Sequence, residues 1–535
     1  MLTTVKYQCI IIEEFIFGGK LMNTNVYIMI SIVAYMLLVL GIGVWFSSRN
    51  KTTDDFYLGG RKLGPFVTAM SAEASDMSSY LLMGVPGVAF LTGLADASWT
   101  AIGLAVGTYL NWLFVAKRLR RYSSRIGANT VPAFFSERFK DNSRLLSIIA
   151  AVVIIIFFVP YTASGFVACG KLFNSLFGVD YMMAMIICAA IIIMYTMLGG
   201  FLAASTSDFI QSIVMTVALV IVLCYGVVHA GGFGAVMENA KSLPGYFSMT
   251  QTFVPDDNML TGTAAGYGFL TICSTLAWGL GYFGMPHILL RFMAIEDTKK
   301  LTLSRRVASV WVVISLGVAV LIGIIGRAML TKMGGFDMLS GDPERILIAI
   351  AQHISRNGAF AAIISGVIFA GILAATMSTA DSQLLAASSS VSQNIVKEKL
   401  FPNMDERTTM LIARLTLVVI AIVAVFLARD PESNVFTIVS FAWAGFGAAF
   451  GPAMIFSLFW KRTTKWGVFA GMVSGGAVIF IWKFLVRPLG GAWNMYELLP
   501  AFIVACIAIV IVSLATPEPA GEIAEDFDAV AAMKD

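Results

Sequence analysis

The chain has 535 residues, of which 58% are hydrophobic and 13% charged, with a mean hydropathy of +0.83; soluble domains carry roughly 25% charged residues, so a soluble globular fold is excluded. A formal net charge of +4, dispersed over separate loops, leaves no basic patch for nucleic acid. The six cysteines (Cys9, Cys169, Cys188, Cys224, Cys273, Cys506) lie singly and the three histidines (His229, His287, His353) far apart, which leaves no disulfide framework, zinc site or nucleophile–histidine pair in the sequence.

Residues 1–22 begin the chain with an apolar run broken by Glu13 and Glu14 and followed by no small-residue cleavage site, so they read as an extension and not as a signal peptide. Met22 is taken as the natural start. The membrane domain is expected over 23–516, an all-α polytopic fold. Apolar runs of about 20 residues, the length that crosses a bilayer, predict thirteen helices: 26–46, 65–91, 98–116, 145–173, 181–199, 203–229, 264–290, 308–330, 346–394, 409–428, 434–460, 466–486 and 498–515. The ninth is too long for one crossing and must include extramembrane helix at an end. Basic residues gather in the loops after the first and third helices (Arg49 to Lys62, Lys117 to Arg144) and recur at Arg291 to Arg306, Lys397 to Arg407 and Lys461 to Lys465, while the 230–263 loop carries only Lys241. The positive-inside rule makes the basic loops cytoplasmic, and an odd helix count puts the N-terminus outside and the C-terminus inside. Residues 517–535 are acidic and poor in large apolar groups, and read as a disordered cytoplasmic tail.

Four carboxylates interrupt these apolar spans, and an acid inside a membrane helix is a functional hypothesis by default. In the second helix Ser71, Glu73, Asp76, Ser78 and Tyr80 fall together, and in the ninth Ser378, Thr379, Asp381 and Ser382 do the same. Hard cations take oxygen ligands from carbonyls, hydroxyls and carboxylates, so two oxygen-rich patches distant in sequence predict one shared ion site. Lone serines and threonines in membrane helices commonly bond their own i−4 carbonyl; a hydroxyl pair beside an acid argues for ligation. Asp208, in the sixth helix, reads equally as a site or a scaffold acid. The seventh helix contains Trp278-Gly-Leu-Gly-Tyr282-Phe-Gly-Met-Pro286, three glycines and a proline that weaken it. Interrupted helices at corresponding places in two halves of a transporter mark a midplane binding site, and the second and seventh helices correspond in a five-plus-five repeat. Trp278 and Tyr282, four apart, share a face. Plain close packing also produces glycine-rich aromatic helices.

With these residues, and with the strings Leu58 to Ser71, Ala74 to Ser78, Leu82 to Gly87, Trp278 to His287, Met377 to Thr379 and Ala442 to Pro452, the chain resembles the sodium/solute symporter family, and within it the sodium/proline symporter branch. The resemblance covers residues 23–515. It implies a fold like the leucine transporter's, ten core helices in two inverted repeats with one helix before and two after. It implies sodium as the coupling ion, held by backbone carbonyls of Ala74, Met77 and Ala375 and hydroxyls of Ser378 and Thr379. Asp76, Ser78 and Asp208 match positions that matter for ion use, and Arg61 matches a basic residue at the cytoplasmic end of the second helix. The solute pocket would draw on Ser71, Tyr80, Tyr161, Trp278, Tyr282 and Pro286. Two departures stand out: Ser79-Tyr80 where the branch shows Gly-Trp, and Glu73 where it shows a small or amide residue. Asp381 and Ser382 fall where some relatives hold a second sodium, so a second cation is expected near Asp208, Asp381 and Ser382.

The implied function is uptake of L-proline coupled to inward sodium movement by alternating access, in the cell membrane and without an obligate protein partner. Symport of another small amino or carboxylic solute, and proton coupling through Glu73 or Asp76, are alternatives. A transporter-like sensor is disfavoured because the 19-residue tail has no room for a signalling domain. Nothing in the motifs points to an enzyme.

Overall fold

The computed structural model describes residues 2–47 and 53–533, with side chains from 24–46 and 55–533. Each of the thirteen expected spans is mainly helical among these residues. Among the described residues, ten helices are long and apolar enough to cross a membrane. One of these, Tyr181–Ala230, is two helices joined at Gly200, whose φ of 60° and ψ of −162° break the ladder. The remaining two segments, 65–92 and 269–294, are broken in the middle. The first helix extends back to Leu2, so the expected extension lies in residues whose side chains are outside the description.

Helix Ala359–Ser389 packs along Tyr181–Ala230 and against Pro65–Ser79, while Val435–Phe459 covers the second broken segment. The broken segments therefore sit at the centre, wrapped by continuous helices, and buried polar groups line the first of them and the stretch 376–394. Many lipid-facing positions on the outer helices are apolar and exposed, among them Leu37, Ile187, Val310 and Phe426, as a bilayer solvent requires.

Three expectations are corrected. The ninth span is not one helix: Gly358 adopts φ 107° and separates Ile346–Ser355 from Ala359–Ser389, because a left-handed φ ends a helix and glycine takes it at no steric cost. The start of the seventh span, 264–268, is not helical; Gln251–Pro255 and Gly262–Gly266 form an antiparallel hairpin with Gln251 opposite Gly266. That hairpin caps the end of the protein away from the basic loops. Tyr246 donates to the carbonyls of Ala89 and Phe90 at 2.8 and 3.0 Å, and buried Arg327 lies against the rings of Phe90, Tyr246 and Phe253.

The third concerns the acidic tail, which is not disordered throughout: Glu522–Ala532 is a helix with Phe527 and Val530 buried. These two are three residues apart and share a face. Phe527 lies under the guanidinium groups of Arg118 and Arg138 at 4.9 and 5.3 Å. Asp526 pairs with Arg125 at 2.7 Å and Asp528 with Lys461 at 2.6 Å. Composition alone hid this because the basic partners lie far away in sequence.

Candidate functional site

The first broken segment fails as a helix at Ser78, which holds φ 47° and ψ −169°, a conformation costly for a residue with a Cβ. Its hydroxyl accepts from the Tyr80 N–H at 3.1 Å, so the side chain stabilises the turn that its backbone makes. The second fails at Met285, extended at φ −77° and ψ 109°, with Pro286 opening the next helix. Proline has no N–H to offer the preceding turn and fits the first helical position. The three glycines before it serve close packing: a Cβ on Gly281 would stand 2.0 Å from the Trp443 indole nitrogen, and one on Gly284 2.2 Å from the Phe446 carbonyl. Packing and interruption are thus both present in this segment.

The breaks meet. Tyr282 donates its hydroxyl to Asp76 Oδ2, and Tyr161 donates to the Asp76 carbonyl at 3.2 Å. Asp76 Oδ1 is buried without a hydrogen-bond partner among the described residues, an acceptor left over for a ligand. Beside it the ninth span closes in: Ser378 donates to the carbonyls of Ala74 at 2.8 Å and Ala375 at 3.2 Å, and Thr379 to Ala375 at 3.2 Å. Residues some 300 apart in the chain therefore bring carbonyls of Ala74 and Ala375 and hydroxyls of Ser378 and Thr379 to one place. The Met77 carbonyl accepts from the Tyr80 N–H, which leaves it one further lone pair.

A narrow cavity adjoins this oxygen cluster, lined by Asp76, Met77, Tyr80, Tyr161, Trp278 and Trp443 among others. Tyr80 and Trp278 stack at 5.4 Å, and Tyr496 stacks on Trp278 at 5.0 Å. Tyr282 is buried and meets Trp443 edge-on at 5.1 Å. A second narrow cavity, lined by Ser78, Thr162, Ser164, Thr376, Thr379 and Gln383 among others, flanks the cluster. Trp443, Thr162, Ser164 and Gln383 were not expected here. Trp443 stood in a recognisable string, and Thr162 and Ser164 follow Tyr161, but no local pattern sets their direction.

Asp208, Asp381 and Ser382 do come together, yet the cation they meet belongs to the protein. Arg291, counted in the sequence among the basic loop residues, is 1% exposed. Its Nη2 donates to Asp208 Oδ2 at 3.0 Å and to Ser382 at 2.5 Å, and its Nε donates to Ser71 at 3.0 Å. Ser71, expected in the solute pocket, donates to Asp208 Oδ2 at 2.7 Å and so belongs to this cluster. Asp381 accepts from Tyr195 at 2.8 Å and from Ser382 at 3.0 Å.

Glu73 turns away from the breaks, its Oε1 accepting from Thr108 at 3.0 Å and Trp112 at 2.8 Å. Arg61, itself at φ 57°, ties three segments at the basic end through the carbonyls of Met293 at 2.8 Å, Ser123 at 3.3 Å and Ala128 at 2.7 Å. Next to it Leu63 pairs with 294–296 through two backbone bonds. The arrangement suits a small solute and a desolvated ion bound side by side between two broken helices, with that end closed.

Known proteins share this plan. The family model described as the sodium:solute symporter family matches residues 56–475. The osmoregulated proline transporter OpuE of Bacillus subtilis (strain 168) is 42% identical over 499 residues, 93% of this chain and 96% of that protein. The sodium/proline symporter of Escherichia coli (strain K12) is 40% identical over 507 residues, 94% of this chain and 96% of that one. Among solved structures, the substrate-bound outward-open state of a Na+-coupled sialic acid symporter superposes with a TM-score of 0.75 at 18% identity, over 92% of this chain and 98% of that chain. A nucleobase-cation-symport-1 family transporter in a closed conformation gives 0.53 at 15% identity, over 88% and 98%. These two likenesses carry the fold, that of transporters built on the leucine-transporter plan.

Proposed function

The chain belongs to the sodium:solute symporter family, and from that premise we propose that it carries L-proline across the cell membrane together with sodium by alternating access. It is a multi-pass membrane transporter and not an enzyme. The observation that carries the reading is the junction of Ala74, Asp76, Ser378 and Tyr282 in a chain about 40% identical, nearly end to end, to proteins named for proline transport. In this reading sodium is cargo, held by the carbonyls of Ala74, Met77 and Ala375 and the hydroxyls of Ser378 and Thr379. Both hydroxyls now donate to those carbonyls, so an arriving ion turns their lone pairs inward and takes over the carbonyls they served.

The solute lies in the adjoining cavity, its ring against Trp278, Tyr80 and Trp443 and its polar end toward Asp76, Tyr161 and Tyr282. Pro286 contributes by keeping the second break open. Ion and solute then share the broken helix 65–92, so each raises the other's affinity by one coupling energy, typically 1–3 kcal/mol. Each charge crossing 100 mV contributes about 2.3 kcal/mol, roughly 50-fold accumulation. The basic loops face the cytoplasm and the 230–263 cap faces outside.

Uptake of radiolabelled proline into proteoliposomes under an inward sodium gradient, against potassium and with Asp76→Asn, tests the whole reading. Sodium-dependent uptake that falls in the variant is expected. Equal uptake in potassium, driven by a pH gradient, would move the coupling to protons.

A further inference from the structure

The three histidines are far apart in the sequence, yet two of them meet at the end of the protein away from the basic loops. His229 lies in the last turn of Tyr181–Ala230 and His353 in the last turn of Ile346–Ser355. Both are half-buried, and their ring centres lie 5.5 Å apart with the planes at 70°. Tyr225 joins them: its ring stacks on His229 at 3.8 Å, its carbonyl accepts from His229 Nδ1 at 3.0 Å, and its hydroxyl oxygen lies 2.7 Å from His353 Nδ1. A neutral imidazole that donates through Nδ1 has its bare nitrogen at Nε2, so His229 presents Nε2 as a metal donor. The same tautomer is open to His353, because the Tyr225 oxygen accepts from Asn357 Nδ2 at 3.0 Å on one lone pair and has a second for His353 Nδ1. Neither Nε2 has a hydrogen-bond partner among the described residues.

We propose that His229 and His353 form a binding site for a divalent transition-metal ion of the zinc type, and that the bound ion restrains transport. Imidazole suits such ions, and metal-ligating histidines almost always donate their other ring N–H to an oxygen, which Tyr225 supplies to both rings. Two imidazoles that share one tetrahedral zinc, each Nε2 about 2.0–2.1 Å from the metal, have ring centres roughly 5 Å apart, close to the separation found. Among the described residues no group of three or more His, Cys, Asp or Glu side chains is placed to hold a metal, so water fills the remaining positions and zinc binds reversibly. Exposed Arg356 is the nearby positive charge and opposes the ion. The metal ties the end of Tyr181–Ala230 to a segment that reaches the solute cavity: just before Ile346–Ser355, Glu344 accepts from the N–H groups of Val435 and Phe436 at 3.0 and 2.9 Å, and the Phe436 ring stacks on Tyr80 at 5.5 Å. The restraint on transport rests on the sodium-coupled reading, whereas the binding site does not.

The test uses the full-length protein, purified without a polyhistidine tag and titrated with zinc by calorimetry in the absence of any solute. Wild type is expected to bind one zinc per chain. His229→Gln and His353→Gln are each expected to raise the Kd at least about 10-fold, and Tyr225→Phe, which keeps the ring and removes the hydroxyl that holds His353, about 10-fold. Arg356→Gln is expected to tighten binding. In proteoliposomes, zinc applied from the side of the 230–263 cap is expected to lower the maximal rate of proline uptake in wild type, reversibly on adding a chelator, and to leave it unchanged in His353→Gln.

A wild-type protein that binds no zinc overturns the proposal. So does zinc that binds both histidine variants with unchanged affinity, because the ion then sits elsewhere on the chain. Zinc held by both histidines without any slowing of uptake overturns the restraint. If one histidine variant does not fold, the other and Tyr225→Phe decide. Absence of proline transport in any sodium gradient would instead sink the sodium–proline reading, while the zinc titration would still judge the histidine pair.

Discussion

Ser378 differs in where it donates from its neighbour Thr379, whose hydroxyl bonds the Ala375 carbonyl of its own helix. Thr162 turns to Gln383 and Thr376 to its own helix, whereas Ser378 crosses to the carbonyl of Ala74 on a broken helix. A hydroxyl bound to a charged partner contributes about 1.5–3 kcal/mol, which converts to roughly 10- to 150-fold in affinity. Ser378→Ala is therefore expected to raise the sodium concentration for half-maximal uptake at least about 10-fold, with the maximal rate at saturating sodium less affected; an unchanged sodium curve would remove the residue from the ion site. Glu73 gives the opposite expectation. Its Oε1 accepts from Thr108 and Trp112, and a glutamine carbonyl accepts both bonds as well. Glu73→Gln should keep sodium-driven uptake within about twofold of wild type at every pH. A lost or pH-shifted uptake would make Glu73 a proton carrier. The oxygen cluster around Asp76 and Ser378 was legible in the sequence because hydroxyls crowd next to acids where lipid-facing helices have none. Arg291 was not, since a basic residue seven positions before Thr298 looks like part of the loop that follows. Only the approach of Asp208, 83 residues away in the chain, makes it a buried partner.

Elements follow the same division between local and distant causes. Helix length is a local property, which is why the thirteen spans could be marked; the separation at Gly358 could not, because Arg356 and Asn357 lie between two apolar runs that read as one. The two breaks were legible from glycine, proline and buried acids. The hairpin 251–266 was not, because its strands are short and only half-buried. The C-terminal helix shows which forces dock such an element. Its ion pairs Arg125–Asp526 and Lys461–Asp528 are part-exposed, and exposed pairs contribute about 0.2–1 kcal/mol each and weaken with salt. Phe527 is buried, and burying such a ring contributes about 1.5–3 kcal/mol. Phe527→Ala should therefore release the helix, seen as faster proteolysis within 517–533. Asp526→Asn with Asp528→Asn should do so only weakly, and the difference should persist at high salt. Equal release by both would mean that charge, not the ring, holds the helix down.

At the scale of the molecule, the closed basic end is a condition for the ion and solute to be bound from the other side. Arg61 joins the stretch before the first broken helix to the end of the second, at Met293, and to the neighbouring segment at Ser123 and Ala128. Those segments must part for either cargo to leave at that end. Hydrogen bonds from a charged group contribute about 1.5–3 kcal/mol each, and a shift of about 5.5 kcal/mol carries a two-state equilibrium from 1:99 to 99:1. Losing these bonds in Arg61→Ala is thus enough to reverse a modest preference for the closed basic end. We expect that variant to hold sodium more weakly and to lose most of its gradient-driven uptake, because the site then faces the compartment into which cargo is released. A cysteine at Ala128, 1% exposed in the closed form, reports the opening directly. Its labelling by an impermeant thiol reagent applied from the basic side should quicken at least about 10-fold in Ala128→Cys with Arg61→Ala, compared with Ala128→Cys alone. Saturating sodium should slow it in the single variant and much less in the double, since the ion's preference for the closed basic end no longer has Arg61 to support it. Labelling that is equally slow in both would mean that the Leu63 backbone pairing keeps this end shut without the arginine.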